Sequence, residues 1–265
     1  MKIIKKNMWD MKVGACDEIT TITAYIPGNK KTDMAIVILA GGGYCMRSDY
    51  EDDGYARFLA ENGYTAFTVS YRVAPYQFPL PLLDARRAVR TVRFYADKFG
   101  IDKNKVAIMG SSAGGHLAAM LSTYFEPIEF ENIDKIDKED FIPNYQILCY
   151  PVITLSETDI MHMGSAHNLL GDRLEKMGKT LSPNLIVSEK TPPAFIWHTF
   201  FDNSVNVKNS LIYAESLKNF NIPTEMHIFP DGRHGLGLAL GDDGISRHVN
   251  EWADLLLKWL EYIDN

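Results

Sequence analysis

The chain has 265 residues, enough for one large α/β domain or two small ones and for a substantial buried core. Apolar residues make up 46% of it and charged residues 23%, which excludes wholesale disorder. The formal charge of −7 argues against a phosphate-binding surface, and no run approaches the roughly 18 apolar residues of a membrane span, so neither nucleic acid nor membrane is an expected partner.

Residues 1–10 carry positive charge without the apolar core of a signal peptide, and a cytoplasmic location is expected. Cys16, Cys45 and Cys149 are widely spaced and odd in number, which fits reduced thiols rather than a disulfide framework or a zinc site. Residues 22–26, followed by Pro27-Gly28, read as an antiparallel edge strand or hairpin. Apolar runs over 34–40, 65–71, 105–109, 145–150, 194–199 and 224–229 predict further strands. Between or after them, 50–62, 84–99, 112–124, 207–220 and 245–262 carry helical spacing, with Gly63 and Gly100 as stops. This alternation predicts an α/β fold, a mostly parallel central sheet with helices on both faces, in a single domain over 1–265.

Arg86, Arg87, Arg90 and Arg93 spread over one side of the second helix and read as a solvated face paired with nearby acids. Two stretches interrupt the alternation. Residues 126–144 are acidic and irregular and are expected as a surface excursion. Residues 156–184 are longer than a simple crossover needs and are expected as a small, partial cap over the carboxyl edge of the sheet, a structural helical crossover being the other reading.

Gly110-Ser111-Ser112-Ala113-Gly114 places a serine between two glycines, after a predicted strand and before a predicted helix. That is the pattern of a nucleophile elbow, where a sharp turn holds the hydroxyl out at the top of a sheet and leaves no room for side chains at the flanking glycines. A serine hydroxyl is a weak nucleophile at neutral pH and needs a base, itself oriented by a carboxylate. His234 follows the last predicted strand and Asp202 the one before it, giving the order Ser, Asp, His; Asp231 is the rival acid, too close in sequence to His234 for two separate loops. The remaining histidines fall inside predicted helices or strands, or, as His162 and His167, in the 156–184 insertion. Gly41-Gly42-Gly43 follows the first central strand without the spacing of a dinucleotide or P-loop site. The N–H of Gly42 or Gly43, with that of Ala113, is expected to form an oxyanion hole.

These residues resemble the α/β-hydrolase superfamily and, within it, small carbohydrate esterases of the acetyl xylan esterase type. The resemblance runs nearly end to end. It rests on Gly41-Gly42-Gly43-Tyr44, Ser70-Tyr71-Arg72-Val73-Ala74-Pro75, Asp84, Gly110 to Leu117, Ser182-Pro183, Thr191 to Phe195, and Gly232 to Ala239. Where many relatives have histidine before the glycines, this chain has Ala40; the implied donors are backbone groups, so activity is expected to survive that change. The resemblance implies a serine esterase without metal or cofactor that removes short acyl groups, acetyl foremost, from sugar hydroxyls of a small-molecule or oligosaccharide substrate. Tyr44 and Arg72, with Tyr71, are expected to line its pocket. A peptidase or amidase of the same fold and a non-catalytic small-molecule receptor are the alternatives, and the sequence is compatible with a homo-oligomer.

Overall fold

The computed structural model describes residues 1–9, 13–14, 18–131 and 133–264; Cys16 lies outside them. Eight strands form one sheet: β1 (Lys2–Asn7), β2 (Thr21–Ile26), β3 (Ala35–Leu39), β4 (Thr65–Val69), β5 (Val106–Ser111), β6 (Tyr145–Cys149), β7 (Ala194–Thr199) and β8 (Thr224–Phe229). Their spatial order is β1-β2-β4-β3-β5-β6-β7-β8. The β1–β2 and β2–β4 pairs are antiparallel, and every later pair is parallel. Helices α1 (Asp49–Glu61), α2 (Leu80–Phe94), α3 (Ala96–Phe99), α4 (Ser112–Thr123), α5 (Met163–Leu170), α6 (Leu174–Met177) and α7 (Lys208–Asn219) lie in the crossovers, and α8 (Gly244–Val249) and α9 (Glu251–Asp264) follow β8.

The central strands β3, β4, β5 and β7 are buried at every position, as continuous apolar strands must be when helices cover both faces. Successive side chains alternate between the two resulting cores. Ile36, Ile38 and Trp197 enter one core with Tyr55 and Leu59 of α1 and Trp252, Leu256 and Leu260 of α9. Val37, Leu39 and Ile196 enter the other with Leu82 and Val89 of α2, Leu117 and Leu121 of α4, and Tyr213 and Leu217 of α7. Trp197 and Trp252 stack with centroids 4.8 Å apart, which fixes α9 on β7. Among the described residues, no helix is long and apolar enough to cross a membrane.

Three expectations need correction. Residues 22–26 do not form the edge: β2 lies between β1 and β4. The edge is β1, whose lysines disguise a strand exposed at five of its six positions, as suits an edge that must not pair with other chains. The predicted 84–99 helix begins earlier, at Leu80, with Pro81 in its first turn, and breaks at Tyr95; the predicted 245–262 helix breaks at Asn250.

The arginines of α2 do not form the solvated face expected of them: Arg86 is 0% and Arg87 1% exposed. Their acidic partners are as expected, but they belong to the 126–144 stretch packed over the helix. Arg86 pairs with Glu131 at 2.9 Å, and Arg87 with Asp134 at 2.6 Å and Asp137 at 2.9 Å. Arg90 donates to the carbonyl of Glu139, and Arg93 to those of Asp140 and Ile142. Guanidinium forks satisfy the carbonyls of an irregular segment that no sheet or helix ladder could satisfy.

The sheet order places the site. The chain runs from β3 outward to β4 and then returns past β3 to β5, so the connections leave the carboxyl ends of β3 and β5 in opposite directions and open a crevice between them. The glycine run follows β3, and Ser112 follows β5. The 156–184 segment carries α5 and α6 and is tied to the neighbouring loops. Asn168 donates to the Gly43 carbonyl at 2.8 Å, Phe78 N–H to the Leu169 carbonyl at 3.0 Å, and Arg173 to the Phe78 carbonyl at 2.8 Å.

Candidate active site

Ser112 has φ +53°, a left-handed conformation that is strained for any residue but glycine and that puts its side chain above the turn. The turn is possible because a Cβ at Gly110 would collide with the Gly114 carbonyl, and one at Gly114 with the carbonyls of Leu39 and Ala40. The strain is held in place by β5 on one side and the buried α4 on the other. Ser112 is 7% exposed.

The loops after β7 and β8 bring Asp202 and His234 to it. His234 Nδ1 lies 2.7 Å from Asp202 Oδ2, and His234 Nε2 lies 2.8 Å from Ser112 Oγ. A carboxylate only accepts, so Nδ1 carries the proton and Nε2 accepts from the serine hydroxyl. The other oxygen of Asp202 accepts from the N–H groups of Ser204 and Val205, at 2.9 and 2.8 Å. Burial alone would raise the Asp202 pKa. The hydrogen bonds from His198 and His234 outweigh it and hold the carboxyl well below the usual range, so it is ionised. Such a line lets an imidazole take the serine proton while the carboxylate stabilises the resulting cation. Asp231 is exposed and plays no part in this line.

The glycine loop closes the other side. Gly42 and Gly43 line the same pocket as Ser112, and both have positive φ, +127° and +64°. Cys45 and Met46 donate their N–H groups to the Gly42 carbonyl, which turns the loop back on itself. Among the described residues, no protein acceptor takes the N–H of Gly42 or Gly43. Ala113 follows Ser112 in the first turn of α4, where N–H groups have no partner within the helix.

Glu51 was not visible as a site residue in the sequence, and it braces this loop. Its side chain is 2% exposed; Oε2 accepts the Gly41 N–H at 2.7 Å, and Oε1 accepts the Tyr150 hydroxyl at 2.6 Å. It stands in the first turn of α1, where the helix dipole favours a carboxylate. Burial nevertheless raises its pKa, with the two hydrogen bonds acting in the opposite sense. Tyr150 completes the brace, its ring edge-on to His234 with centroids 5.1 Å apart. Ala40 offers no side chain that could brace the loop, and Glu51 holds it in this chain.

Tyr44 and Arg72 are not pocket residues. Tyr44 is 1% exposed, and its hydroxyl is paired with His116 Nδ1 at 2.8 Å. Arg72, also 1% exposed, is paired with the buried Asp84 at 2.8 Å and donates to the Val13 carbonyl. Tyr71 is buried too and donates to the Ala40 carbonyl. Tyr71 and Tyr44 tie the loop to the residues beneath it, whereas Arg72 is held to Asp84 of α2 and to Val13. The pocket walls are instead Ser48, Tyr50, Glu51, His162, Ser204 and Gly235, around a cavity of about 210 Å³. Tyr50 opens the predicted 50–62 helix and His162 lies within the 156–184 insertion, and neither carries a local motif that marks a pocket residue.

An eight-stranded sheet in this order, with a strained serine after β5 hydrogen-bonded to a histidine after β8 that is itself paired with a carboxylate after β7, defines an α/β hydrolase. Residues 22–217 match the BD-FAE family, and the chain belongs to it. It is 36% identical over 248 residues to endo-1,4-beta-xylanase B of Butyrivibrio fibrisolvens, covering 90% of this chain and 39% of that protein. It is 34% identical over 225 residues to acetylxylan esterase of Xylanibacter ruminicola, covering 82% and 44%. The chain therefore spans less than half the length of these two curated relatives. The crystal structure of an acetyl ester-xyloside bifunctional hydrolase from Caldicellulosiruptor lactoaceticus has 40% identity and a TM-score of 0.89, over 98% of this chain and 96% of that one.

Proposed function

We propose that the chain is a serine carboxylesterase that removes short acyl groups, acetyl foremost, from sugar hydroxyls. The observation that carries the proposal is the unbroken hydrogen-bonded line Ser112–His234–Asp202 beside the N–H groups of the glycine loop. In this reading Ser112 attacks the ester carbonyl as His234 takes its proton. Asp202 holds the imidazole and stabilises its charged form. The oxyanion is received by the N–H groups of Gly42, Gly43 and Ala113. His234 then gives its proton to the departing sugar oxygen, and water, activated by the same imidazole, releases the acid.

Two observations support the short acyl group and the sugar. The cavity of about 210 Å³ is smaller than the roughly 300–1,000 Å³ typical of sites for drug-sized ligands. Of the related proteins, one is named for acetylxylan and the other for acetyl esters and xylosides. The 156–184 segment contributes His162 to the pocket and binds the Gly43 carbonyl through Asn168, which supports its reading as a partial cap.

Acetate release from acetylated xylo-oligosaccharides, wild type beside Ser112→Ala, tests the proposal. The wild type should release acetate, and Ser112→Ala or His234→Ala should lower the rate about 10⁴-fold or more. Equal release by folded Ser112→Ala contradicts the assignment, and a rise in kcat/KM from acetate to octanoate esters contradicts the short acyl preference.

A further inference from the structure

His162 stands just before α5 and caps it. The backbone N–H of Ser165 donates to His162 Nδ1 at 3.2 Å, and the Ser165 hydroxyl lies 2.8 Å from the same nitrogen. A backbone N–H can only donate, so Nδ1 is an acceptor and the neutral ring carries its proton on Nε2. Burial, and next the charge on His234, push the His162 pKa below the ordinary histidine range, so the ring is neutral at pH 7. Among the described residues, Nε2 has no protein partner, and the ring lines the pocket with Ser112 and His234. The site thus contains a neutral N–H donor, fixed by a helix cap, that the Ser112–His234–Asp202 line does not use.

Its place decides what it can bind. The oxyanion is served by backbone groups of the glycine loop and Ala113. His234 must deliver its proton to the leaving oxygen, and His162 lines the same cavity of about 210 Å³ as His234. A neutral donor suits that position, because a second cation would oppose formation of the His234 imidazolium.

We propose that His162 Nε2–H binds the leaving group, donating to an oxygen on the carbon next to the scissile ester, so that acetates of sugars and other vicinal polyols are preferred over acetates of simple alcohols. The proposal rests on the esterase reading above. In the ground state the oxygen exchanges water for His162. In the transition state the bond fixes the leaving oxygen against His234, so the gain appears in kcat/KM.

The test compares kcat/KM for the monoacetate of trans-1,2-cyclohexanediol, for its methyl ether and for cyclohexyl acetate, each divided by its alkaline hydrolysis rate. The wild type should favour the diol ester over cyclohexyl acetate about 10-fold, as one hydrogen bond allows. The methyl ether should keep that preference, since the oxygen accepts. His162→Asn retains a capping acceptor on a side chain too short to reach the pocket, and its ratio should fall to about one. A wild-type ratio near one, loss of the preference on methylation, or an unchanged ratio in His162→Asn overturns the proposal. Should His162→Asn fail to fold, the two wild-type ratios decide alone. Absence of hydrolysis of all three esters would instead strike the esterase reading.

Discussion

At Glu51 a buried carboxylate accepts from the Gly41 N–H and the Tyr150 hydroxyl, and so joins the glycine loop to the residue beneath His234. Removing it frees the loop while leaving Ser112, His234 and Asp202 in place. Glu51→Ala should lower kcat by about 10²-fold, the scale of one misplaced oxyanion donor, whereas Glu51→Gln, which keeps an acceptor for Gly41, should retain most of it. Equal losses in the two variants would show that charge, not loop position, is what Glu51 supplies. Its neighbour Asp52 is half-buried, its Oδ1 is shielded from solvent and takes no hydrogen bond among the described residues, and burial pushes its pKa up to about 7. The folded state then holds that proton more tightly than the unfolded chain. Stability falls as pH rises from about 4, where the unfolded carboxyl titrates, through about 7. Asp52→Asn should therefore stabilise the protein above pH 7, by on the order of 3 kcal/mol, with the gain vanishing near pH 3. Urea unfolding at both pH values checks this, and a gain independent of pH would contradict it. Ser112, Asp202 and His234 were legible in the sequence because each follows a predicted strand. Glu51 was not, because one of its partners lies 99 residues away and the other is a backbone N–H.

The elbow and α2 show how far single elements constrain the site. Gly114 passes so close to the end of β3 that Gly114→Ala must part α4 from the carbonyls of Leu39 and Ala40. This should cost on the order of 3 kcal/mol, read as a lower urea midpoint. A variant as stable as the wild type would mean that the turn has slack. On α2, Arg87 neutralises Asp137, whose side chain is fully buried. Arg87→Met should destabilise by about 3 kcal/mol, as expected when one partner of a buried pair is removed. Helical spacing revealed α2 but not the burial of its arginines, because their carbonyl partners belong to the irregular 126–144 stretch, whose course no periodicity encodes. The same limit applies to β1, a lysine-rich edge strand defined only by pairing with β2.

Across the whole molecule, the sheet order brings five connections, from the carboxyl ends of β3, β5, β6, β7 and β8, to one crevice. The parallel sheet with helices on both faces was legible because central strands and helices differ in apolar period. The pocket walls were not, since Tyr44, Tyr71 and Arg72 turn inward to His116, the Ala40 carbonyl and Asp84 while Tyr50, His162 and Ser204 line the cavity. Reaction with diethyl fluorophosphate followed by peptide mass mapping tests the central claim, that Ser112 is the nucleophile. One adduct on Ser112, formed in step with the loss of acetate release, is the predicted result. An active protein left unmodified, or an inactivating adduct on another residue, would contradict it.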